Sequence, residues 1–354
     1  MSENYVELYK KYRPNTWEQV IGQEHVVESL RKAVLNNSLP TGYLFGGGPG
    51  TGKTTAAFIL AKALNCENLT EDGNPCNECE TCKAIDNGSL PGVNYVSMAN
   101  NGGVEEVRQM VNQAKLYQPI KKQVWILDEI QNISAQAFDA LLIPLEDDNM
   151  KTLFIMCTTE PEKVRPAVLS RLQIRNFRPV SEVDIAKNLY NICKQEGWGK
   201  EQNLSNAVLK DIAYLSNGSV RNSISGLETF IHTGVVKTGS AEIILKSILS
   251  KDISAFYQES NNIKENGDSY PQTLEVVYEM ILKTLINISS KKNLSSLDKV
   301  IATGLNGKIM NFIKALDIIA DGVKYMTNSR VRYKLIFEST MIKIFFLINE
   351  ERSK

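Results

Sequence analysis

Between residues 43 and 178 short β-rich apolar runs alternate with stretches of helical character. Four runs, 42–45, 94–98, 124–127 and 153–158, are each short, apolar and followed by turn or polar residues, as the buried strands of a parallel α/β sheet are. The carboxyl ends of such strands line one edge, where open sheets hold their ligands. After Pro179 the pattern changes. Residues 183–195, 206–216 and 219–232 carry apolar positions at helical spacing, separated by Gly-Trp-Gly and Asn-Gly turns, and predict three short helices forming a small lid. From residue 241 onward apolar residues again recur at helical spacing, as at Leu274, Val277, Ile281, Leu282 and Leu285, then Ile309, Phe312, Ile313 and Leu316. A third, all-helical domain is therefore expected. The predicted organisation is 1–180, 181–240 and 241–354.

Length agrees with several domains, because 354 residues exceed what one hydrophobic core usually supports. Lysine plus arginine and aspartate plus glutamate number 40 each, which excludes a globally basic nucleic-acid coat and leaves any such contact to local charge placement. The first residues contain no apolar signal region, and the most apolar stretch near the end, 342–348, is broken by Lys343 and too short to span a bilayer. A soluble, cytoplasmic chain with no membrane partner is expected.

Gly47-Gly48-Pro49-Gly50-Thr51-Gly52-Lys53-Thr54 fits GxxxxGK[ST], follows the run ending at Phe45 and opens a helical stretch, 53–65. The glycines let backbone N–H groups turn toward phosphate oxygens, and the helix adds its positive end. Lys53 then reaches the β/γ-phosphates and Thr54 ligates magnesium, with Thr55 beside it. The run 124–127 ends in Asp128-Glu129. Acids also begin ordinary turns; coupled to the phosphate loop, Asp128 is read as the magnesium residue and Glu129 as the group that polarises the attacking water. Thr159 ends the next run, Arg171 lies in Leu169-Ser170-Arg171, and Arg221 opens a lid helix after Asn217-Gly218. Each is readable as an exposed polar residue or as part of an ATP site: Thr159 between water and γ-phosphate, Arg171 as an arginine finger, Arg221 on the lid.

Cys66, Cys76, Cys79 and Cys82 give C-x9-C-x2-C-x2-C in a loop with Gly, Asn and Pro. Four thiolates at this spacing can close a tetrahedral zinc shell, a structural site with no open position. The loop has few apolar residues with which to order itself, so metal is the expected source of its order. Redox chemistry of the CxxC pairs and unliganded thiols are the competing readings. Cys157 and Cys193 are expected in cores, and His25 and His232, the only histidines, at surfaces or helix ends.

The opening Leu8-Tyr9-Lys10-Lys11-Tyr12-Arg13-Pro14 and Thr16-Trp17-Glu18-Gln19-Val20-Ile21-Gly22-Gln23-Glu24-His25 resembles the N-terminal signature of clamp-loader AAA+ ATPases, most of all the gamma/tau branch of bacterial DNA polymerase III. Residues 158–161 resemble that family's sensor 1 segment, Ser170-Arg171 its trans-acting finger, and residues 218–222 its sensor 2 helix. The resemblance implies an α/β P-loop AAA+ core (1–180) with an inserted zinc module at about 66–82, a helical lid (181–240) and an all-α collar that oligomerises (241–354). It implies base contacts from Tyr12, Arg13, Pro14, Val20 and Ile21; the long extension of tau is not in this sequence, as in either a natural short form or a trimmed chain. ATP, Mg2+ and Zn2+ are the implied cofactors. The implied partners are other subunits of a ring, expected to be a pentamer, a sliding clamp and primer-template DNA. A non-catalytic stator subunit and a branch-migration motor are the alternatives. The chain departs from the family at Leu172 after the finger, at Gln131 in place of a common histidine, at Ile143-Pro144, and at residues 100–103 in a loop that is often basic. Arg108, Lys121 and Lys122 are the remaining candidates for phosphate contact.

Overall fold

Alternation along three central strands divides the first part of the chain into two cores. In a computed structural model, which describes residues 6–116, 118–147, 150–198, 204–234, 236, 240–263, 269–291, 294, 296–305, 309–328 and 333–350, the strands are β1 (Gly42–Gly46), β2 (Val93–Ser97), β3 (Val124–Asp128), β4 (Leu153–Thr158) and β5 (Gln173–Asn176). Tyr43, Phe45, Val124, Ile126, Leu153, Ile155 and Cys157 point to one face, where they pack with helices Glu24–Leu35 and Lys53–Asn65. Leu44, Trp125, Leu127, Phe154 and Met156 point to the other, against helices Val104–Ala114 and Ala135–Glu146. This is the two-residue period of a strand buried on both sides.

All pairings are parallel, in the order β2-β3-β4-β1-β5. β4 therefore lies between β1, which carries the phosphate-loop motif, and β3, which carries the acids. The expected strand at 94–98 begins one residue earlier, and β5 was not anticipated: Gln173-Ile174-Arg175-Asn176 is a polar edge strand with only Arg175 half-buried.

Helices Glu182–Gln195, Asn206–Leu215 and Val220–Thr233 fall within a residue of expectation. They share a separate core of Ile185, Leu189, Ile192, Leu209, Ile212, Ile224, Leu227 and Phe230, onto which Leu8, Tyr9, Tyr12 and Ile21 pack from the N-terminal segment. Ser181, Ser205 and Ser219 cap these helices by accepting the backbone N–H three residues on. The chain divides into two compact units, with the boundary between Val236 and Lys237. In the second unit the described residues form helices Ser240–Ser250, Ile253–Asn262, Tyr270–Ser289, Ser296–Gly304, Ile309–Asn328 and Tyr333–Glu350. Leu274, Val277, Ile281, Phe312 and Leu316 are buried there as the periodicity predicts, Leu282 and Leu285 are half-buried, and Ile309 and Ile313 are exposed. Among the described residues no helix is long and apolar enough to cross a membrane.

Candidate nucleotide site and cysteine cluster

The loop between β1 and helix Lys53–Asn65 is shaped by contacts that only glycine permits. Gly47 has φ +146°, and a methyl group on it would lie 2.2 Å from the carbonyl oxygen of Phe177. Gly50 has φ +69°, and its methyl would meet Ser219 Oγ at 2.1 Å and Arg221 Cβ at 3.2 Å. The carbonyl of Gly50 accepts the N–H of Val220 at 3.0 Å, so the first turn of helix Val220–Thr233 rests on the loop. Pro49 is exposed at the loop's tip and Thr51, nearly buried, donates to the Gly48 carbonyl at 2.8 Å. Gly52 is left-handed and caps the helix that Lys53 begins. Lys53 Nζ donates to the carbonyls of Gly47 and Gly48 at 2.7 and 2.8 Å. Burial pulls its ammonium below the usual lysine value, opposed in part by Asp128 and Glu129.

Thr54 Oγ1 donates to Asp128 Oδ2 at 2.9 Å, which joins the phosphate-loop helix to the end of β3. Glu129 follows in a left-handed conformation, φ 58° and ψ 42°. Between them and β1 stands the end of β4, with Thr158 and Thr159. Gln131, noted in the sequence only as a departure, donates to the Glu129 carboxylate and to Thr159 Oγ1 at 3.1 Å, and accepts from Thr158 Oγ1 at 2.7 Å. Lys53, Thr54, Asp128, Glu129 and Thr159 are thus assembled at one sheet edge. Arg221 lies beside the loop, its Cβ 3.2 Å from a methyl built on Gly50 and its guanidinium 5.8 Å from the Tyr9 ring centre.

The N-terminal segment spans the phosphate loop and the three-helix core. Arg13 lies over the Phe58 ring at 4.9 Å, its Nε 3.4 Å from Thr55 Oγ1. Phe58 packs on Tyr95 at 5.6 Å, and the Tyr95 hydroxyl donates to Asp128 Oδ2 at 3.1 Å. Burial and the Asp128 carboxylate push that phenol up to about 12, so it stays a donor. Tyr12 donates to Glu196 at 2.5 Å, and burial followed by this bond raises it likewise to about 12. Val20 is 3.6 Å from a methyl built on Gly52, Ile21 packs on the helical core, and Pro14 is half-buried. Gln23 is a missed residue: fully buried, it accepts from Arg178 N and donates to the carbonyls of Arg178 and Thr51. A polar residue between Gly22 and a helix start offers no sequence signal for such a clasp.

Arg171 is not brought into this cluster. It is exposed, ion-paired with Glu146, and donates to Ala167 O at 2.6 Å and Ser170 Oγ at 3.0 Å. Of the candidate phosphate contacts, Arg108 pairs with Glu105, Lys121 donates to the Cys66 carbonyl at 2.5 Å, and burial lowers the half-buried Lys122.

The four clustered cysteines are free thiols whose Sγ atoms all lie within 4.8 Å of one another. Tetrahedral zinc at 2.3 Å from each sulfur needs separations of about 3.8 Å, so the donor set fits that ion. The N–H groups of Cys76, Cys79 and Cys82 point at the sulfurs of Cys66, Cys76 and Cys79, at 3.2 to 3.4 Å. Such donors favour thiolates: backbone N–H bonds, that of Glu78 foremost, bring Cys76 down to about 6, while burial pushes Cys66 and Cys82 up. The cluster is tied to the rest of the unit by Trp17, whose indole donates to Gly73 O at 2.9 Å, and by the buried Lys62, bonded to Asn77 at 2.8 Å and Asp86 at 3.0 Å. Cys157 and Cys193 are buried; His25 and His232 are exposed near helix ends.

A family model described as DNA polymerase III, delta subunit, matches residues 22–181. The chain is 34% identical over 287 residues to DNA polymerase III subunit tau of Bacillus subtilis, covering 77% of this chain and 50% of that protein. It is 32% identical over 323 residues to DNA polymerase III subunit gamma/tau of Mycoplasma genitalium, covering 87% and 53%. It spans about half the length of these curated relatives. A solved Thermotoga maritima RuvB Holliday junction branch migration motor is similar at 17% identity and a TM-score of 0.46, over 84% of this chain and 86% of that one.

Proposed function

The chain belongs to the DNA polymerase III gamma/tau family, and we propose on that footing that it is an ATP-hydrolysing motor subunit of a clamp loader, acting in the cytoplasm. Its AAA+ core and lid hold ATP, and its helical collar keeps the ring of subunits, a pentamer in this reading, together. The observation that carries the proposal is the convergence of Thr54 on Asp128 and of Gln131 on Glu129 and Thr159 at one sheet edge. A non-catalytic stator has no use for a complete hydrolytic set, and a branch-migration motor has no use for the cysteine module.

In this mechanism the backbone N–H groups of residues 47–54 and the Lys53 ammonium receive the phosphates. Thr54 and Asp128 would hold magnesium, which when bound would neutralise phosphate charge. Glu129 accepts a proton from the attacking water, Thr159 donates to the γ-phosphate, and Arg221 reads the nucleotide from the lid. Tyr12, Arg13, Pro14, Val20 and Ile21 border the base. Arg171 belongs to the site of the neighbouring subunit. ATP favours the assembly that grips and opens the clamp; primer-template DNA aligns finger and water, and hydrolysis releases a closed clamp. The cysteine module holds zinc as a structural ion.

ATP turnover measured with and without primed DNA and the cognate clamp tests this reading. Lys53→Ala should abolish nucleotide binding, whereas Glu129→Gln should keep binding and lose turnover, because only the second acts on the water. Equal loss of ATP affinity in both variants would refute the assignment of Glu129.

A further inference from the structure

Gln131 occupies the 3-10 turn Ile130–Asn132 that follows β3, and both ends of its amide are engaged. Its Nε2 faces the Glu129 carboxylate and Thr159 Oγ1, and its Oε1 receives Thr158 Oγ1 at 2.7 Å. Chemistry decides this orientation, since a reversed amide would set its carbonyl oxygen against an ionised carboxylate, which can only accept. Thr158 reinforces it. That residue is 1% exposed and its hydroxyl oxygen already accepts the N–H of Glu160 at 3.0 Å, so its single proton goes to Gln131. A run of hydrogen bonds thereby crosses from the acids after β3 to the threonines at the end of β4.

Two consequences follow for the groups that Gln131 touches. A hydroxyl that accepts from Gln131 keeps its own proton to donate, so Thr159 is oriented as a donor toward whatever oxygen enters the site. Among the described residues the Glu129 carboxylate is held by Gln131, while its backbone adopts a left-handed conformation that is unfavourable for a non-glycine residue. The Glu129 N–H donates to Asp128 Oδ1 at 3.1 Å and its carbonyl accepts the N–H of Asn132 at 3.0 Å, so the backbone is held by these bonds while Gln131 holds the carboxylate it presents.

We propose that Gln131 is a positioning residue for ATP hydrolysis: it aims the Glu129 carboxylate and the Thr159 hydroxyl together, so that water and γ-phosphate are addressed in register. The proposal deepens the ATPase reading and rests on it. Gln131 itself touches neither water nor phosphate in this scheme. Its amide has no ionisation in the working pH range, so it contributes no pH dependence; an imidazole in its place would.

The test uses the full chain, alone and in its assembly. Gln131→Met keeps the length and removes every hydrogen bond. It should leave the Kd for a fluorescent ATP analogue within about threefold of wild type and lower kcat by roughly 10- to 100-fold, the split expected when only transition-state alignment is lost. Gln131→His should recover part of the rate above about pH 7 and lose it toward pH 6, because a protonated imidazole would pair with the carboxylate and weaken it as a base. The wild type should show no such added limb. Unchanged kcat in Gln131→Met, parallel loss of affinity and rate, or a Gln131→His profile superimposable on wild type would each overturn the proposal while leaving the ATPase reading intact. A wild-type chain that turns over no ATP in its assembly would overturn both.

Discussion

Lys62 lets the link between the cysteine cluster and the nucleotide site be put in numbers. It lies in helix Lys53–Asn65, is 1% exposed, and its three ammonium protons have three oxygen partners: Asn77 at 2.8 Å, Asp86 at 3.0 Å and Asn15 at 3.3 Å. These come from the cysteine loop, the helix Glu80–Asp86 and the N-terminal segment. Removing one member of a fully buried ion pair costs about 3–5 kcal/mol, because the other charge is stranded. Here Asp86 is 44% exposed and Asn15 is exposed, so both regain water when the ammonium goes. What remains is the loss of hydrogen bonds to a charged group, about 1.5–3 kcal/mol apiece before that compensation. Lys62→Met, which fills the same space, should therefore cost about 2–3 kcal/mol. For a unit of this size that lowers Tm by about 4–12 °C. The nucleotide site should feel it too, because the freed segment carries Arg13, Pro14 and Val20: affinity for an ATP analogue should fall severalfold while bound zinc is retained. Thermal unfolding, metal content and analogue titration on the same preparation decide the matter. A Tm and an affinity both equal to wild type would refute the reasoning, since a fully satisfied buried ammonium cannot be both structural and dispensable.

The cysteine cluster should carry one zinc per chain; chelation should red-shift tryptophan emission as Trp17 loses its partners Gly73 and Asn74, and Cys79→Ser should lower zinc content. Zinc kept after two of the four cysteines are replaced, or a disulfide in protein purified without oxidant, would count against a closed metal shell. Arg171→Ala should leave ATP binding by the isolated chain unchanged and collapse DNA- and clamp-stimulated turnover, fingers of this kind contributing roughly 10³ to 10⁵ in rate. Mixed assemblies with Lys53→Ala chains should recover activity at sites that pair an intact phosphate loop with an intact finger; their failure to do so would move Arg171 into its own chain's site.

β1, β3 and β4 were readable because each is a short apolar run buried on both faces, ending where a glycine, an acid or a threonine turns toward the sheet edge. β5 was not, because a polar edge strand looks like a loop until its neighbour Gly42–Gly46 is known. The same division runs through the candidate site. Gly47 to Thr54, Asp128 and Glu129 announce themselves by local pattern, since consecutive residues must shape one loop or terminate one strand. Gln23, Lys62, Tyr95 and Gln131 act by bridging segments distant in the chain, Gln131 by joining its neighbour Glu129 to Thr158 and Thr159 at the end of β4. No spacing encodes that.

Arg171 is proposed to act on the nucleotide of a neighbouring subunit, so its partners within one chain matter only by how easily they release it. Its guanidinium is paired with the exposed Glu146 and donates to Ala167 O and Ser170 Oγ. The pairing with Glu146 is exposed and therefore worth no more than about 1 kcal/mol, far less than a guanidinium gains from meeting spreading phosphoryl charge in a site closed to water. A neighbour's nucleotide would draw Arg171 off Glu146 at small cost, so the ion pair seen in the isolated chain is no argument against a role across a subunit boundary.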